Sequence, residues 1–111
     1  MNTAAPARIR KDPVLADVKK RLQALYGARL KRIVLFGSRA RGDHKQDSDY
    51  DVAVYLTGYD YTMPEVLRLA DASWDVQVEL GAIVSLKPFP DGSDERDTLL
   101  SREIHRDGIL L

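Results

Sequence analysis

Two aspartates separated by one residue, Asp49 and Asp51, open an apolar run and are the side chains in this chain best suited to do chemistry. On a β-strand, residues two apart project to the same face, so these carboxylates are expected to lie side by side. Like charges this close repel each other unless a cation sits beside them. A hard divalent metal prefers carboxylate oxygens and often takes substrate phosphates as well. The spacing therefore indicates a metal site.

A second candidate site is the pair Gly37-Ser38, which ends the apolar run Ile33–Phe36. Glycine permits a tight turn in which backbone N–H groups approach an anion closely, and a helix starting there adds partial positive charge. The pattern predicts a phosphate-binding turn at the end of one strand, beside a metal site at the start of another. Holding a metal and a phosphate together is what phosphoryl or nucleotidyl transfer requires.

Two arginines, Arg39 and Arg41, follow this turn in a short predicted helix that Gly42 should end. Both could contact phosphate, but residues two apart on a helix point in different directions. The alternative for one of them is a structural role, such as pairing with an aspartate of the polar loop 43–48.

The spacing of these motifs resembles a known family. Gly37-Ser38, ten residues and then Asp49-x-Asp51 is similar to the signature of the polymerase-beta-type nucleotidyltransferases. The fuller string GSRARG…SDYDVAV resembles their minimal single-domain bacterial members, the minimal nucleotidyltransferase (MNT) group, which is often paired with HEPN-domain proteins. The match is close over the middle third of the chain, and the flanks fit in the order of their elements.

The resemblance implies a metal-dependent transfer of AMP from ATP to an acceptor hydroxyl. It implies Asp49 and Asp51 as catalytic residues that bind two Mg²⁺ ions, and Gly37, Ser38, Arg39 and Arg41 as nucleotide-binding residues. In related minimal members the partner is a HEPN-domain toxin that receives AMP on a tyrosine. An antitoxin role for this chain follows from the resemblance.

Composition sets limits around this site. The 111 residues suffice for one domain with its own core, and the chain has no cysteine for a disulfide framework or a Cys-based zinc site. The formal net charge of zero argues against strong nucleic-acid binding. No segment is long and apolar enough for a membrane span, and the N-terminus lacks a signal-peptide core. We expect a cytoplasmic domain over residues 12–111 after a loose N-terminal arm, residues 1–11.

The elements predicted for this domain alternate between helix and strand. Asp12 should cap the first helix, with Pro13 at its first position and Gly27 at its end. The fold class is α/β (α+β), a small, mixed, twisted sheet of three or four strands with helices mainly on one side. The other expected elements are strands Leu30–Phe36, Asp49–Leu56 and Ala82–Lys87, helix Pro64–Leu80, a turn at Pro88–Gly92, a last helix capped by Ser93 or Asp94, and an edge strand at residues 109–111.

The segment Trp74–Leu80 has two interpretations. Leu67, Ala70, Trp74 and Val78 recur at helical spacing and Gly81 could end the segment, which favours one helix. Strict alternation over 74–80 would instead make a strand, with a hairpin turn after it.

The choice matters because the family typically has a third carboxylate on its third core strand. In the hairpin, Glu79 would supply it; in the helical reading, strand AIVSLK offers only Ser85 as a polar side chain in its apolar part. We favour the helix. The missing carboxylate leaves a second functional hypothesis, a weak or inactive binding subunit that neutralises a partner by occlusion.

Overall fold

The computed structural model describes residues 5–92 and 98–111, which form helices packed on a single sheet. A 3₁₀ turn, Gly27–Arg29, leads into the first strand. In chain order the elements are α1 (Ala7–Arg10), α2 (Pro13–Tyr26), β1 (Leu30–Phe36), α3 (Ser38–Arg41), β2 (Tyr50–Leu56), α4 (Met63–Leu80), β3 (Val84–Pro90), α5 (Leu99–Asp107) and β4 (Ile109–Leu110).

The sheet is mixed, with strand order β3-β2-β1-β4. β1 runs antiparallel to both β2 and β4, whereas β2 and β3 are parallel. Parallel strands need a crossover connection, and α4 supplies it. The C-terminal residues Ile109 and Leu110 pair with β1, which confirms the predicted edge strand.

Apolar side chains cover both faces of the two central strands. On one face, Val52 and Val54 of β2 pack with buried residues of α1, α2 and α4. On the other, Ala53 and Tyr55 pack with Ile104 of α5. The predicted fold class is confirmed, with most helices on the first face.

The start of α2 follows the predicted capping. Asp12 precedes Pro13, and its carboxylate accepts hydrogen bonds from the backbone N–H groups of Val14 and Leu15. Part of the predicted loose arm, residues 7–10, is instead ordered as α1, and residues 1–4 of that arm lie outside the described residues. Ile9 is buried in the core, and Arg8 donates a 2.8 Å hydrogen bond to the carbonyl of Ala40, so this turn is anchored to the domain.

Helix α4 is one continuous helix to Leu80, ended by Gly81 in the left-handed conformation, so the helical interpretation of 74–80 is confirmed. The residues that indicated the helix do not form its buried face. The stripe made of Leu67, Ala70, Trp74 and Val78 faces solvent, with Trp74 62% and Val78 64% exposed.

The buried face of α4 carries Glu65, Leu69 and Val76 instead. Glu65 accepts a 3.1 Å hydrogen bond from Arg29, and Ser73 donates one to the carbonyl of Val84. Small and ion-paired residues on this face let the helix lie close against the sheet. A ranking by hydropathy alone therefore selects the wrong stripe.

Strand β3 begins two residues later and extends three residues further than predicted. The expected turn at Pro88–Gly92 is wrong for residues 88–90, which pair with β2. The backbone groups of Ile83 and Asp91 form hydrogen bonds with β2. Because backbone groups alternate along a strand, the backbone nitrogens of Pro88 and Pro90 point away from β2, to the outer edge of the sheet. There the missing N–H of proline breaks no ladder hydrogen bond.

The last helix starts at Leu99, and the Thr98 hydroxyl caps it by accepting from the N–H of Ser101. The predicted caps, Ser93 and Asp94, lie outside the described residues. Within residues 5–92 and 98–111, no helix has the length and apolar character needed to cross a membrane.

Candidate active site

The Gly37 turn lies directly against the first residues of β2. Phe36, the last residue of β1, pairs with Asp51. Gly37 follows with φ +75° and ψ −159°, a conformation that is essentially restricted to glycine. A Cβ at this position would lie 2.5 Å from Asp51 Oδ2. The backbone of the turn therefore touches the carboxylate, as the predicted adjacency of the two sites requires.

Asp49 stands immediately before β2 and is exposed, whereas Asp51 lies within the strand and is half-buried. Burial raises the pKa of the Asp51 carboxyl. The positive charge of Lys87 opposes this shift, and the negative charges of Glu103 and Asp49 add to it. An oxygen-preferring divalent cation would relieve this repulsion, so the residues present fit Mg²⁺.

Tyr50, between the two aspartates, points to the opposite face of the sheet. Its hydroxyl donates a 2.8 Å hydrogen bond to Asp12 Oδ2, and burial together with this bond raises the pKa of Tyr50 to about 12. The start of β2 is thereby tied to the start of α2, which fixes the position of both aspartates.

The guanidinium of Arg39 binds the loop that precedes β2. Its Nε donates to the carbonyl of Ser48 and its Nη2 to that of Gln46, both at 2.9 Å. The guanidinium also lies 3.9 Å from the centre of the Tyr50 ring. Arg39 therefore has a structural role through loop carbonyls, whereas the pairing with a loop aspartate that the sequence allowed is made by Arg41 with Asp43. The predicted contact of Arg39 with nucleotide stays a prediction.

Arg41 points toward α5, on the other side of the sheet. It donates to Asp43 and to Asp107, each at 3.1 Å, and its charge acts on Asp51. The structure therefore brings Gly37, Ser38 and Arg41 around the Asp51 end of β2. These ion pairs are at an exposed side chain, so a nucleotide phosphate can compete for the guanidinium.

Glu79 does not belong to this site. It lies in the last turn of α4 and forms an ion pair with Arg21 of α2. Strand β3, on which the resemblance implies a third carboxylate, places Ser85 next to Asp51. In the part of the chain that the structure describes, no three His, Cys, Asp or Glu side chains are grouped to hold a metal ion.

A cavity of ≈ 620 Å³ opens beside Asp49 and Ser85. Tyr59 and Tyr61 stand at its side with ring centres 4.6 Å apart, and Tyr61 has a positive φ of 58°. Strained residues of this kind often mark ligand sites. The sequence offered only a tyrosine-containing loop as a signal. The apolar lining from α4, β3 and the residue before β3 comprises Val66, Leu69, Ala70, Ile83, Val84, Leu86 and Pro88.

The sequence of the chain is similar to those of known proteins. The profile of the nucleotidyltransferase domain family matches residues 15–111. A candidate protein adenylyltransferase of Methanocaldococcus jannaschii, MJ0141, is 39% identical over 43 residues, which are 39% of this chain and 43% of that protein. The chain thus matches less than half the length of this curated relative.

Two solved structures share the fold. The first, a toxin–antitoxin with AMP-PNP, superposes with a TM-score of 0.65 at 22% identity, over 86% of this chain and 69% of the other. The second is a tri-AMPylated Shewanella oneidensis HEPN toxin in complex with its MNT antitoxin. It has a TM-score of 0.57 at 19% identity, over 87% and 70% of the two chains.

Proposed function

Because this chain belongs to the nucleotidyltransferase domain family, we propose that it transfers AMP from ATP to a hydroxyl group of a partner protein. The observation that carries the proposal is the contact between the Gly37 turn and the Asp51 carboxylate. This contact sets a turn suited to phosphate against a carboxylate suited to a divalent cation. ATP and magnesium are cytoplasmic reagents, so the chain would act in the cytoplasm.

The residues around the turn have different roles in the transfer. Gly37 and Ser38 bind the triphosphate, Arg41 offsets its charge, and Asp49 with Asp51 would hold magnesium. When bound, magnesium orients the triphosphate and lowers the pKa of the acceptor hydroxyl. The hydroxyl oxygen attacks the α-phosphorus in line, the bond from that phosphorus to the bridging oxygen breaks, and pyrophosphate leaves. The hydroxyl proton passes to solvent.

The acceptor enters through the cavity beside Asp49. Its walls are largely apolar, and Asp49 and Ser85 supply polar groups at one side. An aromatic side chain that carries a hydroxyl, such as tyrosine, matches a lining of this kind. Val66 and Ala70 of α4 belong both to the cavity wall and to the exposed surface of the helix. The entrance is therefore continuous with the outer face of α4.

The outer face of α4 would receive the partner, a helical HEPN-domain protein like that in the Shewanella oneidensis complex. Leu67, Trp74 and Val78 expose an apolar stripe there, bordered by Asp71 and Asp75. In an antiparallel pair of identical helices the same edges meet, so a second copy would set these acids against their own counterparts. A partner helix with a cationic border avoids this repulsion.

One observation favours a second function, neutralisation of the partner by occlusion without chemistry. Strand β3 has no carboxylate beside Asp51, and Glu79 is paired with Arg21 instead. A chain that lost catalysis could keep its fold and its docking face. The enzyme is preferred because the Gly37 turn still lies against the Asp51 carboxylate and Asp49 stands two residues before Asp51.

Isotope labelling separates these functions. The chain and its HEPN-domain partner are incubated with magnesium and ATP labelled at either the α-phosphate or the γ-phosphate. We expect label on the partner from α-labelled ATP alone. Label from the γ-phosphate would indicate kinase chemistry and contradict the proposal. Loss of partner activity with no label from either ATP would establish occlusion.

A further inference from the structure

On β3, the strand on which the resemblance implies a third carboxylate, a serine and a lysine lie beside the site. Asp51 pairs with Ser85 across the parallel strands β2 and β3, and Ala53 pairs with Lys87. Paired residues of neighbouring strands project to the same face of a sheet. The stacking of Tyr55 on Phe89, the next pair along that face, agrees with this register. Asp51, Ser85 and Lys87 thus share one face.

The ammonium group of Lys87 is directed back along β3 toward the aspartates. Its Nζ donates a 3.2 Å hydrogen bond to Ser85 Oγ, and Ser85 is the residue beside Asp51. The charge of Lys87 stabilises the ionised form of Asp51 and lowers the pKa of that carboxyl, against the larger effect of burial. The half-buried lysine is therefore part of the electrostatics of the carboxylate pair.

A second divalent ion fits poorly at this position. Two carboxylates balance the charge of one divalent cation, and a second cation needs further anionic ligands. Here the neighbouring strand offers a neutral hydroxyl and a positive charge where the family has a negative one. The positive charge at this end of the site is therefore that of a side chain, the ammonium group of Lys87.

We propose that Lys87 replaces one metal ion, so that the site uses a single Mg²⁺ on Asp49 and Asp51 with the lysine as its second cation. During transfer, the ammonium contacts a non-bridging oxygen of the α-phosphate and offsets the charge that develops there. The proposal rests on the proposed nucleotidyl transfer and departs from the two ions implied by the family resemblance.

Counting bound manganese tests this inference without relying on turnover. Mn²⁺ is titrated into the chain saturated with an ATP analogue whose α–β bridging oxygen is a methylene group, and bound Mn²⁺ is measured by electron paramagnetic resonance. We expect one Mn²⁺ per nucleotide complex in the wild type. The double variant Ser85→Asp/Lys87→Met should bind two Mn²⁺ ions. Its affinity for the second ion should be at least tenfold higher than the affinity of the wild type for a second ion.

Two controls keep the result interpretable. Lys31→Met removes an exposed lysine of β1 outside the site and should leave the count at one. Urea unfolding of each variant verifies that the domain is folded. In transfer assays, Lys87→Met should lower kcat at least tenfold, and Lys87→Arg should restore part of it.

Each outcome has a distinct meaning. Two Mn²⁺ ions in the wild type, or an unchanged count in the double variant, would overturn the role of Lys87 while leaving nucleotidyl transfer standing. If the wild type bound no nucleotide at all, the proposed function itself would fail, and the role of Lys87 with it.

Discussion

Substitution of Gly37 by alanine gives the sharpest test of the site's geometry. The added Cβ would stand 2.5 Å from Asp51 Oδ2, closer than real Cβ atoms approach, so the carboxylate or the turn must move. The residue also has φ +75° with an extended ψ, which alanine rarely adopts. The change therefore disturbs the phosphate-binding turn and the metal-binding carboxylate together.

The strain alone should lower the free energy of unfolding by about 1–3 kcal/mol. Gly81→Ala is the matched control, because Gly81 has φ +71° but its Cβ would meet no atom within 4 Å. It should cost about 1–2 kcal/mol, the usual penalty of the left-handed conformation. The excess for Gly37 combines the clash with the cost of its extended ψ, and the part due to the clash should disappear when Asp51→Ala removes the carboxylate.

Urea unfolding gives the stabilities, and calorimetry with ATP and magnesium gives the affinities. We expect Gly81→Ala to bind nucleotide like the wild type and Gly37→Ala to bind at least tenfold more weakly, a loss of about 1.4 kcal/mol or more. If Gly37→Ala is folded and binds with wild-type affinity, the phosphates do not lie at this turn, and the assignment of the site is wrong.

Three further predictions follow from individual side chains. Asp51→Asn should raise the free energy of unfolding at neutral pH, because the pKa of the Asp51 carboxyl is raised and its ionised form destabilises the fold. Urea unfolding over a pH series should show this gain vanish below the ordinary pKa of 3.8, and a gain that persists below that pH would contradict the prediction. Glu79→Gln should leave the transfer rate within a few-fold, under about 1 kcal/mol of barrier, because its partner is Arg21; a hundredfold loss would return Glu79 to the site. Val76→Ala, at a buried position, should cost about 1–3 kcal/mol in urea unfolding, whereas Val78→Ala should cost under about 0.5 kcal/mol; equal costs would mean that the packed face of α4 is misassigned.

The parts predictable from sequence are those in which local signals agree. The Gly37 turn and the Asp49-x-Asp51 spacing each adjoin an apolar run, so the strand ends could be predicted from them, and the structure places the two motifs side by side. The roles of these residues in binding stay predictions. Asp12 and Pro13 similarly combine a cap with a helix start, and the structure confirms them.

The parts that failed depend on tertiary contacts. Helix α4 carries apolar residues on two faces, and its buried face holds Glu65, whose ion pair with Arg29 joins segments far apart in the chain. The prolines of β3 signal a turn in isolation, yet they fit a strand whose outer edge is unpaired. Ile9 and Arg8 looked like part of a loose arm because their partners lie far along the chain.

AMP transfer at Asp49 and Asp51 is tested most directly by the intact mass of the HEPN-domain partner after incubation with the chain, ATP and magnesium. We expect a gain of whole AMP units with the wild type and no gain with the variant Asp49→Asn/Asp51→Asn, whose fold should be unaffected. An unmodified partner with the wild type, or equal modification by that variant, would contradict AMP transfer at these two aspartates.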